Sequence, residues 1–320
     1  IPCCHDGKGM NMKRFLNHRL LYVLLSSLIA CTIQAIKLED SPFSFGQKYR
    51  GEKFLIAGCG WDKVAVIDKR TCRFEWVHTI GKGEDCNDVE VTREQNILYA
   101  YTAGARLITP GQHVVWDYKV GGNEELFTAT QLSDGGYLLA ICGHPARIVE
   151  LDNNGRTIKE IHFETGIETV HNQFRQIEKT RRNTYLIPLF GSGELIEMNV
   201  SGQIINRVKV GGTPFSVKQL KKGKCLLVGC GDGHHWVEID AKTWKIGRLV
   251  TSGDLEGLSL LFVAELSRYR NGTTLLCNWN GHSKDKSQPK LVEIDRNNRI
   301  TWQLDDKGTI RNISTVWCFP

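Results

Sequence analysis

Five histidines, His144, His171, His234, His235 and His282, and two tryptophans, Trp61 and Trp279, stand in or beside short turns rich in Gly, Asn and Asp. Imidazole is the commonest protein ligand for a divalent ion and the side chain that titrates nearest neutral pH. Asp88 and Asp232 offer carboxylates to such a set, while Asn87, Asn172 and Arg147 add further polar groups. The spacing is not that of a local metal motif, because no HExxH occurs and the histidines come from separate segments. A divalent metal is therefore possible, but nothing demands a cofactor. The same imidazoles serve equally well to bond a ligand, a backbone group or water. Trp61 and Trp279 suit stacking on a sugar ring, with packing inside the fold as the alternative. Arg147 has a similar alternative, an acid of its own hairpin. Nucleophilic chemistry has weaker support: no GxSxG is present, and Gly191-Ser192-Gly193 reads as a tight turn.

The elements that position these residues form a repeat. An apolar strand, a Gly-rich turn, a second apolar strand ending in Asp or its equivalent, and a polar turn recur six times. The copies are FLIAGCGWDKVAVID (54–68), ILYAYTAGARLIT (97–109), YLLAICGHPARIVELD (137–152), YLIPLFGSGELIEMN (185–199), CLLVGCGDGHHWVEID (225–240) and TLLCNWNGHSKDKSQPKLVEID (274–295). From Asp68 through Thr109, Asp152, Asn199, Asp240 and Asp295 the steps are 41, 43, 47, 41 and 55 residues. A period near 40 made of short strands is the signature of a β-propeller blade. Each copy is preceded by a further strand candidate (88–92, 127–132, 173–178, 215–220 and 261–266) and followed by a polar one such as 73–80, 157–163 or 245–250. The first copy lacks its opening strand, and the chain ends with an orphan at 313–319. The pattern predicts an all-β, six-bladed β-propeller of four-stranded antiparallel blades, its ring closed by the C-terminal strand. A seventh, degenerate unit at 41–49 is the alternative count. In a propeller, the loops joining second to third strands share one face with those leading into the innermost strands. That geometry gathers Trp61, Asn87, Asp88, His144, Arg147, His171, Asn172, Asp232, His234, His235, Trp279 and His282 at one mouth, the default place for a ligand.

The chain divides into residues 1–35, a lead-in at 36–52 and a propeller domain at 53–320. Met12-Lys-Arg-Phe-Leu-Asn-His-Arg19 followed by the apolar run 20–30 has the charged and apolar regions of a secretory signal, and residues 1–9 read as upstream of its start. Leu28-Ile-Ala-Cys31 resembles a lipobox, which would make Cys31 a lipidation site; Ile33-Gln-Ala35 is the competing cleavage site. Both predict an exported protein, periplasmic or on the cell surface, touching a membrane only through a lipid anchor. Loss of residues 1–31 removes four basic residues and one acid and lowers the formal charge from +6 to +3, too little to suggest nucleic acid. Eight cysteines remain beyond this segment. Most lie inside strands, with Cys59, Cys142 and Cys230 in one slot of the repeat, so they read as small buried apolar residues.

The turn Asp68-Lys-Arg-Thr-Cys-Arg-Phe-Glu-Trp76, with weaker copies at 240–248 and 295–302, resembles the repeat of propellers related to pyrroloquinoline-quinone dehydrogenases, in which such a turn precedes a docking Trp. Here Trp76 and Trp302 keep that residue and Trp116 stands in a looser copy. Six blades rather than eight, Cys72 in place of the turn Gly, and no adjacent Cys pair beyond the leader argue against a bound quinone. The chain looks more like exported six-bladed propellers of Bacteroides-type bacteria. Gluconolactonase-type propellers hold a metal with Glu, Asn and Asp, which Asn87, Asp88, Glu125 and Asn172 could imitate. Arylsulfotransferase-like ones use channel His and Arg, for which His171 and Arg147 are candidates. The function expected is binding of a small molecule, glycan or protein partner by a monomer. A metal-dependent or His-assisted hydrolase, lactonase or lyase on the same face is the alternative, and a partner scaffold the third.

Overall fold

The apolar runs of each repeat lie in the middle of a blade, covered on both sides. The strands Phe54-to-Ala57, Ile97–Tyr101, Tyr137–Cys142, Tyr185–Leu189 and Thr274–Asn278 are buried at every position. Continuous Val, Ile, Leu and aromatic residues suit a strand buried on both faces. The outer strands Val114–Lys119 and Ile204–Lys209 instead alternate between exposed and half-buried positions. The computed structural model describes residues 43–81, 84–306 and 308–320. Cys31, the competing cleavage site, the rest of the leader and residues 36–42 of the lead-in lie outside the described residues. Among the described residues, no helix is long and apolar enough to cross a membrane.

Six four-stranded antiparallel sheets make six blades. Five use four consecutive strands. The first is ordered Thr315–Cys318, Lys53–Gly58, Trp61–Asp68, Phe74–Thr79, so the C-terminal strand is its innermost member. The closure pairs Phe54 with Cys318 and Ala57 with Thr315. The lead-in adds to it, since Tyr49 and Arg50 donate their backbone N–H to Pro320 and Gly51 donates to Phe319. No strand forms at 43–49, so no seventh blade arises from the described residues.

Blades dock side by side through the outer turns. Asp68 Oδ1 accepts from the backbone of Arg70 and Thr71 and from the Thr71 hydroxyl, and Asp240 repeats this with Lys242 and Thr243. Asp152, Asn199 and Asp295 close equivalent turns. These repeated acids are thus turn formers. Trp76 Nε1 donates to Pro110 O of the second blade at 2.9 Å, and Trp302 Nε1 reaches from the sixth blade to Lys69 O of the first at 3.1 Å. Trp116 packs edge-on against Tyr137 of the third blade at 5.0 Å.

Around the channel, the innermost strands present one edge to no strand of their own sheet. Side chains of the preceding blade take up several of the N–H groups on that edge. Val89 donates to Thr315 Oγ1, Ala129 to Asp88 Oδ2, Gln131 to Glu90 Oε1, Ile177 to Thr128 Oγ1, Gln219 to Glu178 Oε2 and Val316 to Glu265 Oε2. At the remaining junction Ser216 Oγ donates to Ala264 O. The expected strand at 173–178 is reduced to Glu178–Lys179. Phe174 keeps an isolated bridge to Leu189, but Gln176 leaves the ladder, its N donating to Phe215 O of the next blade.

Glu265 holds the closure, accepting from Val316 N at 2.9 Å, Thr315 Oγ1 at 2.7 Å and Lys218 Nζ at 2.8 Å. Glu265→Ala leaves these donors unmatched inside the channel and is expected to lower stability by about 2–4 kcal/mol in urea unfolding. Asp240→Ala, at an exposed outer turn, is expected to lose about 1 kcal/mol or less.

Candidate functional site

The face nominated by the sequence, here the upper face, carries the loops between second and third strands. Its histidines do not converge. His144 Nε2 lies 2.7 Å from Glu168 O, and His235 rests both ring nitrogens on carbonyls, Gly233 O at 2.7 Å and Val210 O at 2.9 Å. His234 is an exposed turn residue with φ of 55°. Among the described residues, no three His, Cys, Asp or Glu side chains form a group able to hold a metal ion. Arg147 is spent on acids, bidentate to Glu124 at 2.8 and 2.9 Å and on Glu160 of its own hairpin at 2.9 Å. Asn172 closes a turn, its carbonyl accepting from Gly191 N.

Other candidates do meet. Trp279 and His282 pack edge-to-face at 4.6 Å, and His282 Nδ1 is 3.6 Å from Asp232 of the fifth blade. Trp279 also staples the sixth blade to the first, its Nε1 donating to Cys59 O. His171 Nδ1 pairs with Glu125 Oε2 at 2.7 Å, and its ring lies edge-on to Phe127. Trp61 is 4% exposed but walls a recess of about 590 Å³ on this face, with Asp62, Lys63, Asp85 and Arg311 around it. Asp85 is fixed there by Gly60 N at 2.7 Å and by the Cys59 thiol at 3.0 Å. Burial, and then Asp85, push the Cys59 thiol up to about 12, so it is no thiolate at neutral pH. All eight cysteines among the described residues are free.

Below this mouth lies Arg175, 4% exposed. Its guanidinium is sandwiched between the rings of Phe127 at 4.1 Å and Phe190 at 4.0 Å. Burial lowers its pKa to about 10, which still leaves it charged at neutral pH.

Asn87 and Asp88 lie deeper, on the innermost strand of the second blade. Asn87 Nδ2 donates to Leu126 O, and Asp88 is 3% exposed. Burial first, then the neighbouring Glu265, hold the Asp88 carboxyl far above the usual carboxylate range. Gln176 Nε2 reaches Asn87 O, Asp88 Oδ1 and Glu265 Oε2 at 3.0, 3.4 and 3.3 Å. Burial opposes the charge of Lys218, yet Glu265, Asp88 and Glu178 outweigh it and hold the ammonium on. Past this knot the channel opens on the opposite, lower face into a cavity of about 660 Å³ bordered by Glu90, Glu178 and Lys218.

Arg175, Gln176, Glu178, Lys218 and Glu265 are not among the loop residues that the sequence pattern singles out. Their signal is local: charged or amide side chains interrupting apolar inner strands, as in Val217-Lys218-Gln219 and Ala264-Glu265-Leu266. Asp88 and Glu90 show it best, two apart and therefore on one side of a strand.

The comparisons agree with this architecture. The family model described as Mal s 1 allergenic protein-like matches residues 59–299. The chain belongs to that family. A solved structure of a protein of unknown function from Bacteroides caccae is 41% identical, covering 82% of this chain and 97% of that one with a TM-score of 0.79. Catalytically inactive virginiamycin B lyase from Staphylococcus aureus, solved with quinupristin, is 11% identical, with 82% and 88% covered and a TM-score of 0.57. A functionally unknown protein from Desulfotomaculum acetoxidans is 10% identical, with 84% and 86% covered and a TM-score of 0.56. The last two share the fold. No curated protein matches the chain.

Glu90 gives a pH signature. Burial raises its carboxyl to about 7, above its value of about 4.3 in an unfolded chain. The folded state then binds the extra proton between these values, so this group's contribution to stability falls as pH rises through that window. Glu90→Gln keeps an acceptor for Gln131 N and removes the titration. Its Tm relative to wild type is expected to rise from pH 5 to pH 8 in calorimetry. A constant difference would show that Glu90 does not titrate there.

Proposed function

We propose that this protein binds a small polar ligand, a sugar or a similar ring-bearing molecule, on the upper face of its propeller. The observation that carries this reading is the 590 Å³ recess in which the Trp61 wall meets Asp62, Lys63, Asp85 and Arg311. An aromatic wall with a few polar groups of both signs is how small-molecule sites gain affinity from one side and orientation from the other. Asp85 is already held by two donors, so it meets a ligand without first having to be ordered. In this reading the protein works outside the cytoplasm as a monomer, held at most by a lipid on Cys31.

A second reading, a His-assisted lyase or hydrolase, has one observation in its favour. The 2.7 Å Glu125–His171 pair orients an imidazole at the mouth of the channel, as a general base requires. The lyase-like fold of solved relatives is compatible with it, but fold alone does not assign a reaction.

Glycan-array screening followed by titration of tryptophan fluorescence tests the binding reading. Arg311→Ala and Asp85→Asn are each expected to weaken an identified ligand about tenfold or more, the scale of one charge-assisted hydrogen bond. His171→Ala is expected to leave binding intact. Equal affinity in all three variants would move the site off this recess, and loss of turnover in the His171 variant would favour the second reading.

A further inference from the structure

On the lower face, the seam between the fourth and fifth blades holds a cavity of about 140 Å³, far more than one water needs. Arg181 and Arg182 border it from a turn of the fourth blade. Lys222 and Trp244 border it from two turns of the fifth. Its charged lining is entirely cationic, with no carboxylate. Arg182 is paired with Glu197 at 3.0 Å. Arg181 and Lys222 are exposed and have no acid partner among the described residues. The two neutral polar groups of the lining are engaged already. Thr180 Oγ1 lies 2.6 Å from Thr184 Oγ1, and Gln219 Nε2 donates to Glu178 Oε1 and Lys179 O.

Trp244 supplies an independent observation. It holds the turn position that Cys72 holds in the first blade. Both N–H groups donate to the carbonyl of the turn's Asp, and both residues have positive φ, 56° and 53°. That conformation suits Gly and strains a bulky residue. Docking on the sixth blade does not require it, because Arg248 Nη2 reaches Asn298 Oδ1 there. The Trp244 ring packs on the core that contains Leu186 and Leu226. Its indole N–H, however, is buried with no partner, whereas Trp76 and Trp302 each donate to a carbonyl of the next blade. Gln176, Asn280 and the other unpaired buried groups border neither this cavity nor the larger ones. A buried donor beside two unpaired cations calls for an anionic acceptor. A sulfate group accepts on its oxygens and keeps no proton near neutral pH. A phosphate group, with a second pKa of about 6, brings a proton that asks for an acceptor such as a carboxylate. We propose that this cavity binds a sulfate group, as the free ion or as the ester of a sugar whose ring stays outside. Arg181 and Lys222 hold its charge, and the Trp244 indole N–H is the third donor.

The test is isothermal titration calorimetry of the folded protein at about pH 6, where inorganic phosphate is still protonated. The probes are sodium sulfate, glucose 6-sulfate, glucose and sodium phosphate, each against sodium chloride of equal ionic strength. Sulfate is expected to bind, phosphate more weakly and glucose not at all. Glucose 6-sulfate binding as well as sulfate assigns the site to sulfate esters, and sulfate binding alone assigns it to the free ion. The Arg181→Gln/Lys222→Gln variant is expected to weaken sulfate about tenfold or more. Trp244→Phe keeps a ring and removes the N–H, and is expected to weaken it about fivefold, the scale of one hydrogen bond. Arg73→Gln, a loss of charge at an exposed site on the first blade, is expected to leave binding unchanged. Should Trp244→Phe fail to fold by circular dichroism, the variant at the two exposed cations still decides. No heat with sulfate, phosphate binding as tightly as sulfate, or undiminished binding in the folded variants would each overturn the proposal.

Discussion

A ring of blades leaves an open strand edge at the channel wherever two blades meet, and the molecule depends on how those edges are closed. Among the described residues, side chains do most of it, with a few backbone bonds such as Gln176 N to Phe215 O. Asp88, Glu90, Thr128, Glu178, Glu265 and Thr315 reach from one blade to accept the backbone N–H of the next. An unpaired backbone N–H in such a place destabilises by about 1–3 kcal/mol, so each of these side chains is a structural joint. The same joints concentrate ionisable groups where water is scarce. That raises the carboxyls of Asp88 and Glu90 and leaves Lys218 charged among acids. Assembly and channel electrostatics therefore share one set of residues.

This sharing explains why the fold was legible in the sequence and the site was not. Blade number, blade boundaries and closure by the last strand follow from periodicity, because every blade buries the same two apolar strands. The docking tryptophans and Asp turns follow from local chemistry that repeats. Convergence between blades is a different matter. His144 and His235 sit on the expected face, yet each is consumed by a neighbouring carbonyl. Arg147 and Arg175 look alike in sequence. One is tied up by two glutamates, whereas the other sits between two phenylalanines. What separates them is which blade stands opposite, and spacing along the chain carries no record of that.

The two ends of the channel also differ in kind. At the upper end, Arg175 is packed between Phe127 and Phe190, and the accessible recess lies beside Trp61. At the lower end a cavity of about 230 Å³ is bordered by Asp88, Glu265 and Lys218. A family assignment carries the scaffold common to both ends but does not say which of them a given member uses.

The closing pair of strands has a mechanical consequence. Phe54 is opposite Cys318 and Ala57 opposite Thr315, so the outgoing ends of both strands emerge at the same end of the ladder. A force applied from that end meets the lead-in bonds to Pro320 and Phe319 first and then these pairs one after another, from Phe54–Cys318 inward, peeling them like a zipper. Heat has to disrupt the ladder together with the Glu265 clasp and the packing behind it. The ring is thus joined well against thermal motion and poorly against tension.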